Sequence, residues 1–223
     1  NKIAWYENDG NQNFTEHTIT IATDGPHGVF ATDLGGDGDL DVLTGAFYGE
    51  FYYFQNTASA PGLSALLQQT GTDNPLNGIS VSNYSTPAFT DLDGDGDLDA
   101  LMGDASGNLT FFQNTGDAVS PSFAASIQNP FGLAATSGYT RPAFGDLDGD
   151  GDLDVLEVEP GEVSSFRYFE NIGDAGFPSF SSPVTNPFGL AGPGDYAAPA
   201  FSDLDGDGDL DVLVGSGTNL LYY

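Results

Sequence analysis

The apolar positions of the chain fall in short runs of four to eight residues, separated by turn-forming residues. Runs such as DVLTG, FYYFQN, DALMG and LTFFQN are rich in Val, Leu, Phe and Tyr, and they are bounded by Gly, Asn, Asp and Pro. This composition and these bounding residues are typical of β-strands and tight turns. Only the segment GLSALLQQT, residues 62–70, is compatible with a helix. The pattern therefore predicts an all-β protein with almost no helix.

The strand pattern repeats in phase with an acidic motif. The nine residues DLDGDGDLD begin at Asp91, Asp146 and Asp203, and DLGGDGDLD begins at Asp33, so the motif recurs every 55 to 58 residues. YSTPAF, YTRPAF or YAAPAF precedes the last three motifs. An apolar run follows each motif, and the first three are then followed by an aromatic run ending in Asn (YYFQN, TFFQN, RYFEN). A fixed period of this length indicates one structural unit repeated along the chain.

Each unit holds four predicted strands, which favours the blade of a β-propeller over an open solenoid. We predict a single repeat domain over residues 1–223, a propeller-like array of about four four-stranded blades. Its approximate units are residues 1–21, 22–79, 80–134, 135–191 and 192–223, the last an incomplete blade. Both chain ends align with a third strand, so residues 1–21 are expected to complete a neighbouring blade. We favour a segment of a larger propeller or array; the alternative is a strand that is shed or donated to another chain.

The charge of the chain excludes several classes of partner. Thirty-three acidic residues face only Lys2, Arg141 and Arg167, which gives a formal net charge of −30. Such a chain is repelled by nucleic acids and by anionic membrane surfaces. No apolar run approaches the roughly 20 residues that span a bilayer, so no membrane insertion is expected. Without cysteine there is no disulfide or thiolate framework, and this leaves the compartment open.

The acidic motif predicts a bound cation. Two unit charges about 4 Å apart repel by roughly 4 kcal/mol at an effective dielectric of 20, so the motif is costly without a counter-ion. Ca²⁺ takes six to eight oxygen ligands from flexible acidic loops, whereas Mg²⁺ prefers rigid octahedra with few protein ligands. In the second motif we predict that Asp91, Asp93 and Asp95 are side-chain ligands and that Gly96 allows a sharp turn. We predict that Asp97 binds through its backbone carbonyl and that the carboxylate of Asp99 closes the coordination shell.

The same register predicts two further strong calcium sites and one weaker site. The third uses Asp146, Asp148, Asp150, Asp152 and Asp154, and the fourth uses Asp203, Asp205, Asp207, Asp209 and Asp211. In the first motif Gly35 replaces the second aspartate, which leaves Asp33, Asp37, Asp39 by its carbonyl, and Asp41. The first site is therefore expected to be weaker or more hydrated.

The segment PAFTDLDGDGDLDALMG and its three counterparts resemble FG-GAP or VCBS-type repeats, the units of integrin-α-like β-propellers. The resemblance extends over practically the whole chain. It implies calcium in the hairpin loop between the first and second strands of each blade and an extracellular or cell-surface location. Propellers of this family commonly have seven blades, whereas this chain has material for about four.

No catalytic constellation stands out, and we predict that the chain is not an enzyme. His17 and His27 lie in different parts of the repeat, and no nucleophile or phosphate-binding motif is present. We expect a calcium-stabilised structural or adhesive module of a surface or secreted protein. The alternatives are a carbohydrate-binding lectin propeller and a non-catalytic module of a polysaccharide-degrading enzyme. Expected partners are other protein chains or surface glycans, with a homo-oligomer or filament arising by strand exchange.

Overall fold

The computed structural model describes residues 2–8, 13–20, 25–58, 65–161, 164–174, 176–194, 197–216 and 219–223. These residues form β-strands joined by loops and three short 3₁₀ segments. Two terminal strands come first, β1 (Ile3–Asn8) and β2 (Phe14–Thr20).

Four antiparallel sheets follow in chain order, and each is one blade. Blade 1 is β3 (His27–Thr32), β4 (Asp41–Gly45), β5 (Phe51–Asn56) and β6 (Leu66–Gln69); blade 2 is β7 (Thr86–Thr90), β8 (Asp99–Gly103), β9 (Leu109–Phe112) and β10 (Ile127–Gln128). Blade 3 is β11 (Ala143–Gly145), β12 (Asp154–Glu159), β13 (Ser165–Phe169) and β14 (Val184–Thr185); blade 4 is β15 (Ala198–Ser202), β16 (Asp211–Ser216) and β17 (Asn219–Tyr222). The 3₁₀ segments are Gly71–Asp73, Pro130–Gly132 and Pro187–Gly189.

The four sheets are arranged as a four-bladed β-propeller, which confirms the predicted fold class. Within each blade the strands pair in sequence order, so every connection is a hairpin. The first strands β3, β7, β11 and β15 lie innermost and line a shared central cavity of about 410 Å³. Blades of this kind cover their faces by packing against their neighbours.

The hydrophobic core lies between the blades. One cluster joins blades 1 and 2, with Leu43 and Phe51 packed beside Phe89 and Met102. Equivalent clusters join blades 2 and 3 and blades 3 and 4. Since strands in blades 2 and 3 are buried on both faces, they read as continuous apolar runs rather than as an alternating pattern.

The one segment that the sequence allowed as a helix forms a strand in its described part. Leu66–Gln69 is β6, the outer strand of blade 1, and it pairs with β5 from Asn56↔Leu66 to Tyr53↔Gln69. Residues 62–64 lie outside the described residues. The open edge of β5 overrides the weak helical preference of this segment, because pairing satisfies its backbone groups.

The terminal strands form a separate two-stranded sheet, in which β1 pairs with β2 over Ile3↔Thr20 to Asn8↔Phe14. In the described part of the chain, blade 4 ends on β17, which pairs only with β16. Residues 1–21 therefore pair with one another here, and their role in completing a neighbouring blade stays a prediction.

Candidate metal centres

Each acidic motif forms the loop between the first and second strands of its blade. Thr90 ends β7 and Asp99 begins β8, and the other three blades place the motif identically. The loops gather at one end of the propeller, since loops 1 and 2 share a cavity of about 310 Å³ and loops 3 and 4 share one of about 490 Å³. The repeat thus concentrates negative charge at one end of the molecule.

The second loop curls around its first aspartate. The Gly94 and Gly96 amides donate to the two carboxylate oxygens of Asp91, at 2.8 and 3.0 Å. Gly96 has φ +94°, a conformation that favours glycine, so its predicted turn role is confirmed. Asp146 and Asp203 accept the equivalent amide hydrogen bonds in loops 3 and 4. The curl points the alternate carboxylates toward a common centre.

Three clusters of aspartates could hold a metal ion, with candidate ligand oxygens within 4.8 Å of one another. They are Asp91, Asp93 and Asp95; Asp146, Asp148 and Asp150; and Asp203, Asp205 and Asp211.

Buried oxygen atoms without a partner test whether these loops fit a cation. Oδ1 of Asp93, Asp97 and Asp152 accepts no hydrogen bond from the described residues. Desolvation, with the neighbouring carboxylates, raises the pKa of Asp97 and of Asp152. A hard cation would satisfy these oxygens and neutralise the repulsion, so the residues fit such an ion. Asp97 was expected to offer its carbonyl, whereas here its side chain is also buried within the loop.

The first loop lies outside the three clusters found among the described residues. Asp33 still accepts from the amides of Asp37 and Gly38, at 3.1 and 2.8 Å, so the curl is kept. Gly35 leaves the loop one carboxylate short. The ligand roles of all nineteen predicted aspartates, and the weaker first site, stay predictions.

The last aspartate of each motif has a second role that sequence reasoning missed. Asp154 accepts from the Asn171 amide at 2.8 Å, from the Leu147 amide at 3.1 Å and from the Tyr168 hydroxyl at 2.9 Å. Asp41 is held in the same way by Asn56 and Tyr53. The signal was present in the sequence, since Tyr and Asn stand three residues apart in the aromatic runs that follow the first and third motifs (Tyr53 and Asn56; Tyr168 and Asn171). This carboxylate ties the loop to the third strand.

Blade 2 lacks the tyrosine of this arrangement. Phe111 stands where blade 3 has Tyr168, so Asp99 keeps only the Asn114 and Leu92 amides, at 2.7 and 3.2 Å. Desolvation is the largest cause that raises the pKa of Asp99 to about 7. Blade 2 therefore holds its closing carboxylate with one donor fewer.

The turn after the third strand of one blade covers the acidic loop of the preceding blade. A Cβ on Gly36 of loop 1 would lie 2.8 Å from the Ala118 carbonyl oxygen, and one on Gly176 would lie 3.2 Å from the carbonyl of Asp93 in loop 2. Both Ala118 and Gly176 belong to this turn in the following blade. Loop geometry is thus coupled to packing between blades.

The two histidines lie on different elements, His17 on β2 and His27 on β3. His27 packs edge-on against Tyr84 with ring centroids 4.7 Å apart, and desolvation lowers its pKa. The three metal clusters consist of aspartates alone.

The geometry defines a class of protein, a propeller of repeated blades with an acidic hairpin loop in each. A family model described as FG-GAP-like repeat matches residues 1–44 and 91–157. These matches are consistent with an FG-GAP-type repeat protein, as the resemblance of the acidic motif to that family implied. No curated protein matches the chain significantly.

Proposed function

We propose that the chain is an extracellular structural or adhesive repeat module whose blades are stabilised by Ca²⁺ in the acidic loops. The buried, unpartnered carboxylate oxygens of Asp93, Asp97 and Asp152 carry this proposal. Burying an ionised oxygen without a partner is costly, and calcium supplies the missing partner with the flexible, many-oxygen coordination that such loops offer.

The extracellular setting is supported by the family and by ion supply. FG-GAP repeats typically occur in extracellular or surface proteins, where calcium is millimolar and suits sites of modest affinity. Among the described residues, no helix is long and apolar enough to cross a membrane. FG-GAP-like repeats are typically non-catalytic modules, and we propose the same for this chain.

Thermal unfolding with and without calcium tests the proposal. The 223-residue chain is dialysed against EGTA, its melting temperature is followed by circular dichroism, and calcium or magnesium is then titrated back. We expect calcium to raise the melting temperature, because a ligand that binds only the folded state stabilises it by mass action. Calorimetry should find three tighter sites and one weaker site, with magnesium less effective.

Two variants, each of which neutralises one carboxylate, test whether calcium binds in the acidic loops. Asp148→Asn removes a carboxylate from the third cluster and should remove one tight site, whereas Asp73→Asn, outside every motif, should leave the titration unchanged. A melting temperature that changes neither with EGTA nor with added calcium contradicts the proposal.

We also propose that blades join across chains by strand exchange. In the described part of the chain, blade 4 ends on β17. The sequence pattern aligns β2 with the fourth strand of a unit. An edge strand with unpaired backbone groups accepts another strand readily. The mass of the native particle tests this proposal. Strand exchange is supported if the protein forms oligomers and if Lys and Pro substitutions on β2 dissociate them. A monomer at all concentrations contradicts it.

A further inference from the structure

A groove of about 580 Å³ runs between blades 2 and 3 beside the second acidic loop. It is lined by Phe111 and Phe131, whose ring centroids lie 5.2 Å apart, and by Ile127 and Phe177. Gln113 and Asp95 lie at its polar end. Mostly apolar concave sites with a few polar groups are typical of small-ligand sites.

Phe177 is the most exposed large apolar side chain of the described residues, at 81%. Its turn is held by Asp174, whose Oδ1 atom accepts from the amides of Gly176 and Phe177 at 3.0 and 2.9 Å. The corresponding turn of blade 2 has Ser120 in this position, and Asp117 accepts the equivalent hydrogen bonds from the amides of Val119 and Ser120, so the turn does not require an aromatic ring. An exposed ring on a fixed turn indicates a contact surface.

The polar groups at the end of the groove restrict the charge of a ligand. Oδ2 of Asp93 accepts from Nε2 of Gln113 at 2.6 Å, and its Oδ1 is buried, so this carboxylate is already engaged. The side-chain amide of Gln113 keeps one N–H and its carbonyl oxygen, and Asp95, whose Oδ1 accepts from the Asp97 amide at 3.1 Å, keeps further acceptor sites on its carboxylate.

The three cations of the chain lie elsewhere. Lys2 pairs with Glu16, Arg167 pairs with Glu157 and Glu159, and Arg141 lines the central cavity. With a net charge of −30 and no cation in the groove, an anionic ligand is disfavoured. A cationic ligand would compete with the ion of the second loop for the same carboxylates. A neutral ligand with one apolar face and several hydroxyl groups complements this surface.

We propose that the groove binds a neutral carbohydrate, with one sugar ring stacked on Phe177 and its hydroxyl groups hydrogen-bonded to Gln113 and Asp95. A sugar ring presents a face of C–H groups to the aromatic side chain and hydroxyls at its edge. The inference rests on the proposed adhesive function and names the ligand class of that module.

A glycan array probed with the 223-residue chain in millimolar calcium tests the proposal. The array carries neutral, uronic-acid and sulfated oligosaccharides, and oligolysine is spotted as a basic peptide. We expect binding to neutral oligosaccharides. For the best neutral oligosaccharide, calorimetry should show that Phe177→Ser, which installs the blade 2 residue, weakens binding at least about tenfold.

Phe188→Ser is the matched control, because Phe188 is also exposed, at 64%, but lies outside the groove. It should bind the same oligosaccharide as the unsubstituted chain does. Absence of neutral-glycan binding, equal binding by Phe177→Ser, or a preference for acidic glycans or oligolysine overturns the proposal.

A calcium titration on the same samples separates the two proposals. If calcium binds and no neutral glycan does, the groove assignment fails while the metal-stabilised module stands. If no calcium binds, the proposed function fails, and glycan binding lost specifically in Phe177→Ser would still support the groove. Phe177→Ser should leave the calcium titration itself unchanged.

Discussion

Blades 2 and 3 share a backbone frame but differ in the centre of the sheet. Met102 of β8 lies opposite Thr110 of β9, whereas Glu157 of β12 lies opposite Arg167 of β13. Met102 and Glu157 are both fully buried.

The Glu157 carboxylate is compensated by several contacts. Its Oε1 lies 3.2 Å from the Arg167 guanidinium, an ion pair without an aligned hydrogen bond, and Thr140 donates a hydrogen bond to Oε2. Arg167 also donates to the Ala135 carbonyl at 3.0 Å and to Glu159 at 3.1 Å. The interior of a blade can thus hold either an apolar or a charged side chain, provided that the buried charge has an ionic or hydrogen-bonding partner.

The largest expected effect comes from breaking the buried pair on one side. Arg167→Thr leaves Glu157 buried without its cation, so at pH 8 we expect the free energy of unfolding to fall by about 3 to 5 kcal/mol. Urea denaturation at fixed calcium measures the change. The double variant Glu157→Met/Arg167→Thr installs the blade 2 pair and should recover most of the loss. A double variant as unstable as the single one would show that the two blades are not interchangeable.

The pH dependence of stability gives the next largest effect. Burial is the largest cause that raises the pKa of Glu157 to about 7 from an ordinary value of 4.5. The folded state then holds a proton that the unfolded state releases. The contribution of this proton to the free energy of unfolding is therefore complete below about pH 4.5 and is lost as pH rises through about 7.

The double variant removes this dependence. The difference in unfolding free energy between the double variant and the unsubstituted chain should shift by roughly 1 to 3 kcal/mol between pH 5 and pH 8, in favour of the double variant at the higher pH. Both proteins share the aspartates of the loops, so the contribution of these aspartates to the pH dependence cancels in the difference. A difference that stays constant over this range contradicts the raised pKa.

The closing aspartate gives a smaller effect. Tyr168→Phe makes blade 3 resemble blade 2 by removing the hydroxyl donor to Asp154, and we expect a loss of about 1 kcal/mol. Tyr48→Phe is the control, because Tyr48 is exposed, at 62%, and lies in the turn between β4 and β5 of blade 1 rather than beside Asp154. Denaturation at saturating calcium measures both. A loss no larger than that of the control would mean that the hydrogen bond contributes nothing.

The sequence predicted the features that repeat in phase. The four blades and the position of each acidic loop follow from strand composition and a period of 55 to 58 residues, because a hairpin loop between two strands must recur with them. The glycine of the turn at Gly96 was predicted from its place in the acidic motif, where a calcium-binding loop turns sharply.

Features that depend on contacts between repeats could not be read from one repeat. The groove at Phe177 combines blade 2 residues with a turn of blade 3, and spacing alone does not say which elements meet. Residues 66–69 became a strand because β5 offered an open edge, which is a tertiary effect. Phe131 and Phe188 occupy equivalent positions in blades 2 and 3. Phe188 is nevertheless exposed, because no described turn covers it, whereas Phe177 and Pro178 flank Phe131.

The last prediction concerns metal affinity and compares loop 1 with loop 2. A Cβ on Gly35 would meet only ordinary contacts, at 3.9 Å from Nε2 of Gln55 and from the Tyr53 hydroxyl, so an aspartate fits there. Gln55 occupies the position of Gln113, which donates to Asp93 in loop 2. Gly35→Asp should therefore regain both the missing carboxylate and its amide donor.

Calcium calorimetry on Gly35→Asp should show the weak site converted into a fourth tight one, with roughly tenfold higher affinity, because ligand charge sets the affinity of such loops. Gly35→Ala is the control, since it adds the Cβ without the carboxylate and should leave the first site weak. Equal titrations for the two variants would mean that Gly35 is not what distinguishes loop 1. The covering turn at Ala118, which lies close to Gly36, would then be the feature to test next.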